Sequence, residues 1–339
     1  MSSQKSTHPV TLFTGQWADL PFEEVAQLAS SWGYDGLEVC TWGDHLDLKR
    51  AEEDPGYLQT RRDILDKYNL NVYAISTHLS GQAVCDNPID FRHEAILRDY
   101  MWGDGDGEGV RQRAAEEQKR AARVARKLGV DTVVGFTGSS IWQYVAMFPP
   151  VPESVIDAGY EDFAKRWNPI LDVFDAEGVR FAHEVHPSEI AYDYYTTVKT
   201  LEAIDHRPAF GLNWDPSHMM WQNLDPVAFI LDFADRIYHV DCKDTRMRLG
   251  NGRRGVMGSH LPWSHMQRGW DFVSTGHGDV PWEDSFRALE FIGYKGPISV
   301  EWEDAGMDRL RGAAEAVGFV RNLLWEKPAG AFDAAFSKE

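Results

Sequence analysis

The strongest constraint on the fold is a unit of sequence written at both ends of the chain. Near the start, Phe22, Val25, Leu28 and Trp32 recur at the spacing of one helix face, and Gly33-Tyr34-Asp35-Gly36 then turns into the apolar run Leu37 to Cys40. Near the end, Trp282, Phe286 and Leu289 form a comparable stripe, and Gly293-Tyr294-Lys295-Gly296 leads into Ile298 to Glu301. A glycine after the last periodic residue is a helix stop, because it takes the left-handed conformation without a Cβ clash. Further apolar runs read as strands at 10–13, 72–76, 132–136, 180–184, 210–214 and 237–241, which brings the total to eight. Strands alternating with helices specify a parallel sheet with right-handed crossovers, and the number eight favours closure into a (β/α)8 barrel. We therefore expect an α/β chain forming one TIM-barrel domain over residues 1–339, with its core at about 10–325 and an insertion at about 245–275 after the seventh strand.

In such barrels chemistry gathers at the C-terminal ends of the strands. Four of those ends are rich in acid and imidazole: His183-Glu184-Val185-His186, Asn213-Trp214-Asp215-Pro216-Ser217-His218, His239-Val240-Asp241-Cys242-Lys243-Asp244 and Glu301-Trp302-Glu303-Asp304. Side chains alternate faces along a strand, so Glu184, Asp215, Glu301 and one of His239 and Asp241 can converge. Carboxylates cluster in an apolar setting only when something cationic neutralises them. One divalent metal ion is the simplest answer. The oxygen-rich set suits Mn²⁺ first, with Mg²⁺, Co²⁺ or Zn²⁺ as alternatives.

Composition narrows the partners. A formal charge of −19 repels nucleic acid and anionic membrane surfaces. The polar start from Met1 to Pro9 does not read as a signal peptide, and no stretch is apolar enough to span a bilayer. Three scattered cysteines, Cys40, Cys85 and Cys242, fit a reducing cytoplasm. Asp104-Gly105-Asp106-Gly107-Glu108-Gly109 imitates the start of a calcium loop, but the twelfth position is Ala115, so it reads as a solvated loop.

The order of these motifs, together with Gly276-His277-Gly278-Asp279-Val280-Pro281-Trp282 before the last helix, resembles the xylose isomerase-like TIM-barrel superfamily of sugar isomerases and epimerases. The resemblance implies a metal held from the fifth to eighth strands, at positions that fall on Glu184, Asp215, Asp241 and Glu301. One departure stands out: the register of Lys243-Asp244 puts Asp241 where the family uses histidine. His239, two residues earlier on the same face, is the alternative ligand.

The chemistry implied is removal and return of a proton next to a carbonyl, through an enediolate, with Glu184 and Glu301 as acid and base. Substrate contacts are expected from His186, His218, Lys243, Arg246 and His78, and from Trp42 and Trp302, two of thirteen tryptophans placed to stack on a sugar ring. His183 is a further possible base. A carbohydrate isomerase or epimerase is the first reading. The alternative is a lyase on 3-keto-glycosides, like the metal-bearing subunit of C-glycoside deglycosidases, in which the same proton abstraction leads to β-elimination. A nuclease or a non-enzymatic sugar-binding protein ranks below both. The aperiodic insertion, with Asn251-Gly252-Arg253-Arg254 and Pro262-Trp263, reads as a lid or specificity loop for a sugar or keto-glycoside, or as a contact in a homo-oligomer or with a small partner subunit.

Overall fold

The computed structural model describes residues 8–145, 148–250, 252–325 and Phe336; Asn251 and the first seven residues lie outside the described residues. Eight parallel strands form the sheet: β1 (Val10–Phe13), β2 (Gly36–Cys40), β3 (Asn71–Ser76), β4 (Thr132–Gly135), β5 (Arg180–Glu184), β6 (Phe210–Trp214), β7 (Ile237–Val240) and β10 (Ile298–Val300). They run in the order β10-β1-β2-β3-β4-β5-β6-β7, with Val10 beside Ile298. The gap between β7 and β10 is closed one residue beyond β7, where Asp241 bridges to Ser299 and the Cys242 N–H donates to the Ser299 carbonyl at 2.6 Å. The result is a TIM barrel with helices between the strands.

The grammar at the two ends behaves as the sequence predicts. The helix Phe22–Trp32 stops at Gly33 with φ of 92°, and the helix Trp282–Phe291 is followed by Gly293 with φ of 75°, both left-handed. In the imitation calcium loop, Asp106 accepts from the Gly109 N–H at 2.8 Å and so caps the helix Gly107–Leu128.

The barrel interior is stepped. Ala74, Val134 and Ala182 pack with Tyr238 as an apolar plug, and the bare Gly211 makes room for the Tyr238 ring, which a Cβ there would meet at 2.2 Å. A polar tier adjoins the plug, with Glu38, Asn213, His239 and Ser299 all fully buried. Glu38 accepts from the Ser299 hydroxyl at 2.7 Å and from the Ser76 hydroxyl. Period-two alternation then places Asp215, Asp241 and Glu301 one step nearer the mouth on the same face as Asn213, His239 and Ser299.

The insertion departs from a structureless loop. Two further strands, β8 (Asp244–Met247) and β9 (Trp270–Val273), pair antiparallel and carry the intervening segment across the mouth. Asp244 holds the ribbon's base to the Gly276-to-Trp282 motif. Its carboxylate accepts from the Gly276 and Gly278 N–H groups and from Trp282 Nε1, each at 2.9 Å, and also from the Thr245 and Val280 N–H groups. A Cβ on Gly278 would sit 1.9 Å from Asp244 Oδ1, which is why the wrap needs glycine there.

Candidate active site

Alternation of side chains along the strands turns the acidic residues at their tips inward. Oxygen atoms of Glu184, Asp241 and Glu301, all buried, lie within 4.8 Å of one another, and donor atoms of Glu184, His186 and His218 form an adjoining group of the same span. Asp215 joins them through His218, whose Nε2 is 3.1 Å from Asp215 Oδ2 and 3.2 Å from Glu184 Oε1. His78 Nε2 donates to Glu184 Oε2 at 2.7 Å. Lys243 Nζ donates to Glu301 Oε1 at 2.9 Å and lies 3.2 Å from Glu303 and 4.0 Å from Asp215.

Five buried atoms in this group have no hydrogen-bond partner, Asp215 Oδ2, His218 Nε2, Asp241 Oδ1, Glu301 Oε2 and His78 Nδ1, and a sixth, His239 Nε2, lies one tier deeper. The His218 contacts are close but misaligned for hydrogen bonds. Leaving polar atoms buried and unpaired costs about 1–3 kcal/mol each. Several such lone pairs meeting in one oxygen-rich group is the arrangement a divalent cation relieves, so the residues present fit the metal that the sequence implies.

Charge divides the carboxylates. Burial alone would raise the Glu184 pKa, but the His218 and His78 imidazoles hold it well below the ordinary carboxylate value. Glu301 goes the other way, pushed well up by burial and by Glu184, Glu303 and Asp215, against the pull of Lys243. Asp241 is also pushed well up, by burial and then by Glu38, Glu301 and Glu184. Burial disfavours the charged form of Lys243, yet the carboxylates around it keep its ammonium well above the usual value. Burial would lower His218, but Asp215 and Glu184 together raise it, whereas His186 is lowered by burial and by the His218 ring 4.0 Å away.

Other candidates from the sequence fall elsewhere. His239 occupies the tier below Asp241: its Nδ1 donates to Asn213 Oδ1 at 2.9 Å, its Nε2 faces Glu38 at 3.5 Å, and Asn213 Nδ2 in turn donates to Asp241 at 2.6 Å. His183 lies on the outer face of β5, stacked on Phe210, and burial lowers its pKa to about 4. Arg246 is half-exposed and directed at Asp279 and the His277 carbonyl, away from the carboxylates. Trp42 meets His78 edge-on at 6.4 Å, and Trp302 Nε1 donates to Ser274 Oγ at 2.9 Å. Sequence reasoning left out Glu38 and Glu303. The signal for Glu38 was present, since a lone acid inside Leu37-Glu38-Val39-Cys40 has no solvent face.

This site at the mouth of a closed eight-stranded barrel defines the class. The chain belongs to the xylose isomerase-like TIM barrel family, which it matches over residues 26–323. It is 28% identical over 330 residues to the uncharacterized protein YfiH of Bacillus subtilis (strain 168), covering 92% of this chain and 97% of that protein. In fold it is similar to the 3-keto-D-glucoside 4-epimerase YcjR from E. coli, with a TM-score of 0.65 and 14% identity over 93% of this chain and 99% of that one. It is likewise similar to AsbF of Bacillus anthracis, a probable 3-DHS dehydratase, with a TM-score of 0.63 and 16% identity over the same shares. Among the described residues no helix is long and apolar enough to cross a membrane, and all three cysteines are buried and unpaired.

Proposed function

We propose that this chain is a divalent-metal-dependent carbohydrate isomerase or epimerase of the cytoplasm that moves a proton on and off the carbon next to a carbonyl. The observation that carries the reading is the pair Glu184 and Glu301, whose oxygens lie within 4.8 Å of one another and of Asp241 in one buried cluster. Two carboxyl groups that bracket one carbon can remove its proton and return it. Glu184, anionic between His78 and His218, is the base. Glu301, with Oε1 tied to Lys243 and Oε2 unpartnered, faces it across the cluster and is the group that returns the proton.

Glu184, Asp215, Asp241 and Glu301 would hold the metal, with Mn²⁺ the first candidate. Asp241 takes the seventh-strand position, because it lies one step nearer the mouth and shares a cluster with Glu184 and Glu301, whereas His239 lies a tier deeper with its Nδ1 bonded to Asn213. Bound there, a divalent ion polarises a carbonyl oxygen and so acidifies the neighbouring C–H. Lys243 and His186 border the same space and offer contacts to substrate hydroxyls. The fold shared with a keto-glucoside epimerase supports a keto-sugar substrate.

A second reading, β-elimination from a 3-keto-glycoside, shares the first proton transfer and then expels the group at C1. It is favoured by an aromatic cleft that opens beside Glu303. Incubation with ketoses, inososes and 3-keto-glycosides in D₂O, with Mn²⁺ and after chelation, tests both. Deuterium in a rearranged sugar is expected for the isomerase, whereas release of the C1 group marks the lyase. Absence of α-proton exchange in every substrate, or full exchange by chelated protein, overturns the proposal.

A further inference from the structure

The cleft beside Glu303 has a volume of about 270 Å³ and is lined by Trp263, Phe272 and Trp302 on its apolar sides and by Gln16, Glu303 and Asp304. It adjoins the carboxylate site through shared side chains. Lys243 Nζ, which bonds Glu301, lies 4.5 Å from the centre of the Phe272 ring, and the His218 ring meets Phe272 edge-on at 5.3 Å. Phe272 in turn stacks on Trp263 at 5.2 Å with an interplanar angle of 25°. An aromatic ladder therefore runs from the site outward to a half-exposed tryptophan.

Trp263 is not loose. The Arg268 guanidinium sits 4.1 Å from its ring centre, and Trp270 meets it edge-on at 5.5 Å. Holding a large indole half in water at a pocket wall is unfavourable until an apolar face covers it. The polar lining sets the other half of the requirement. The three carboxylates of the lining, Glu303, Asp304 and Asp271, only accept hydrogen bonds, which repels phosphates and carboxylates and suits hydroxyl donors.

We propose that this cleft is a second subsite, which holds a ring with an apolar face and hydroxyl donors on its edge, joined to the carbohydrate in the carboxylate site. The substrate is then a glycoside or oligosaccharide in place of a free monosaccharide, an inference that rests on the carbohydrate reading above. The hairpin β8–β9 supplies Phe272 and frames Trp263, which gives the insertion its role. A phenolic ring and a second sugar ring share this chemistry, and the test separates them.

The test compares α-proton exchange in D₂O for a free 3-keto-hexose, its 4-hydroxyphenyl glycoside and its disaccharide, all with the Mn²⁺-loaded full chain. Either glycoside is expected to exceed the free sugar in kcat/KM by roughly tenfold or more, and whichever does so identifies the ring. In Trp263→Ala that ratio should fall to about one, and in Trp263→Phe it should largely return. Quenching of tryptophan fluorescence by hydroquinone and by methyl glucoside, lost in Trp263→Ala, reads the cleft without turnover. If no sugar exchanges yet such quenching occurs, the carbohydrate reading fails and the subsite stands. Equal kcat/KM for free and linked sugars, or a ratio unchanged in Trp263→Ala, overturns the subsite.

Discussion

The carboxylates buried in the barrel wall and those buried at its mouth have the same chemistry and opposite surroundings. Glu38, Glu189 and Asp244 each face donors: two serine hydroxyls for Glu38, the Thr137 and Gly138 N–H groups at 2.7 and 2.6 Å for Glu189, and a ring of backbone and indole N–H groups for Asp244. Asp215, Asp241 and Glu301 instead face one another, with an oxygen of each left unpaired. The first set has spent its acids on structure. The mouth keeps its acids unpaired, at a cost in stability that the proposed cation would offset.

Exchanging one acid in each region gives the largest contrast. Glu301→Gln should lower kcat/KM by roughly a hundredfold to ten-thousandfold, the range for losing a general acid, while raising the melting temperature of metal-free protein. Glu38→Gln should leave activity within a few-fold and cost about 1–3 kcal/mol of stability, since the hydroxyls lose an ionic acceptor. Steady-state kinetics beside thermal melts of both variants would erase the distinction if Glu38→Gln proved as inactive as Glu301→Gln.

Asp244→Ala should come next, with a loss of about 3–5 kcal/mol in urea unfolding, because five donors lose their acceptor together. A loss under about 1 kcal/mol would mean that the ribbon and the Gly276-to-Trp282 turn are held by something else. The smallest effect belongs to Glu189. Burial, and then Asp86, raises its pKa to about 8 in the fold from an ordinary value of 4.5, although its backbone donors pull downward. The folded state therefore holds an extra proton between those values, so the stabilisation is full below 4.5 and is lost as pH rises through 8. Glu189→Gln should flatten this slope, narrowing the change in unfolding free energy between pH 5 and 9 by at least about 1 kcal/mol. Parallel slopes for wild type and variant would place the proton elsewhere.

The barrel was legible because its strands are short apolar runs bounded by glycine stops, and local pattern suffices for such elements. Strand ends were overrun by one residue at Phe136, Asp241 and Glu301, since composition does not mark the last ladder residue, although Asp241 still bridges to Ser299. The ribbon was not legible. Asp244-Thr245-Arg246-Met247 and Trp270-Asp271-Phe272-Val273 carry no close turn between them, and pairing across such a gap leaves no local trace. Among candidate site residues, period-two parity put Glu184, Asp215 and Glu301 on one inward face, and the structure gathers Glu184, Asp241 and Glu301 within 4.8 Å. Parity could not decide between His239 and Asp241, which share a face and differ only in depth. The motif Gly276 to Trp282 was noticed for its resemblance, but its purpose as a wrap around Asp244 needed three dimensions.

The seam at Ser299 also has a consequence in time. Val10, Thr11 and Leu12 are made long before their partners on one side, Ile298, Ser299 and Val300. At roughly 5–20 residues per second of synthesis, β1 waits about 15–60 s as an open, apolar edge before its neighbour leaves the ribosome. Such an edge is a template for wrong pairing with another nascent chain. Glu301 follows the closing strand by one residue, so the last acid of the mouth arrives with the strand that shields that edge. The half-made chain is thus both sticky and short of one acid of its mouth cluster, and a single docking event ends both conditions.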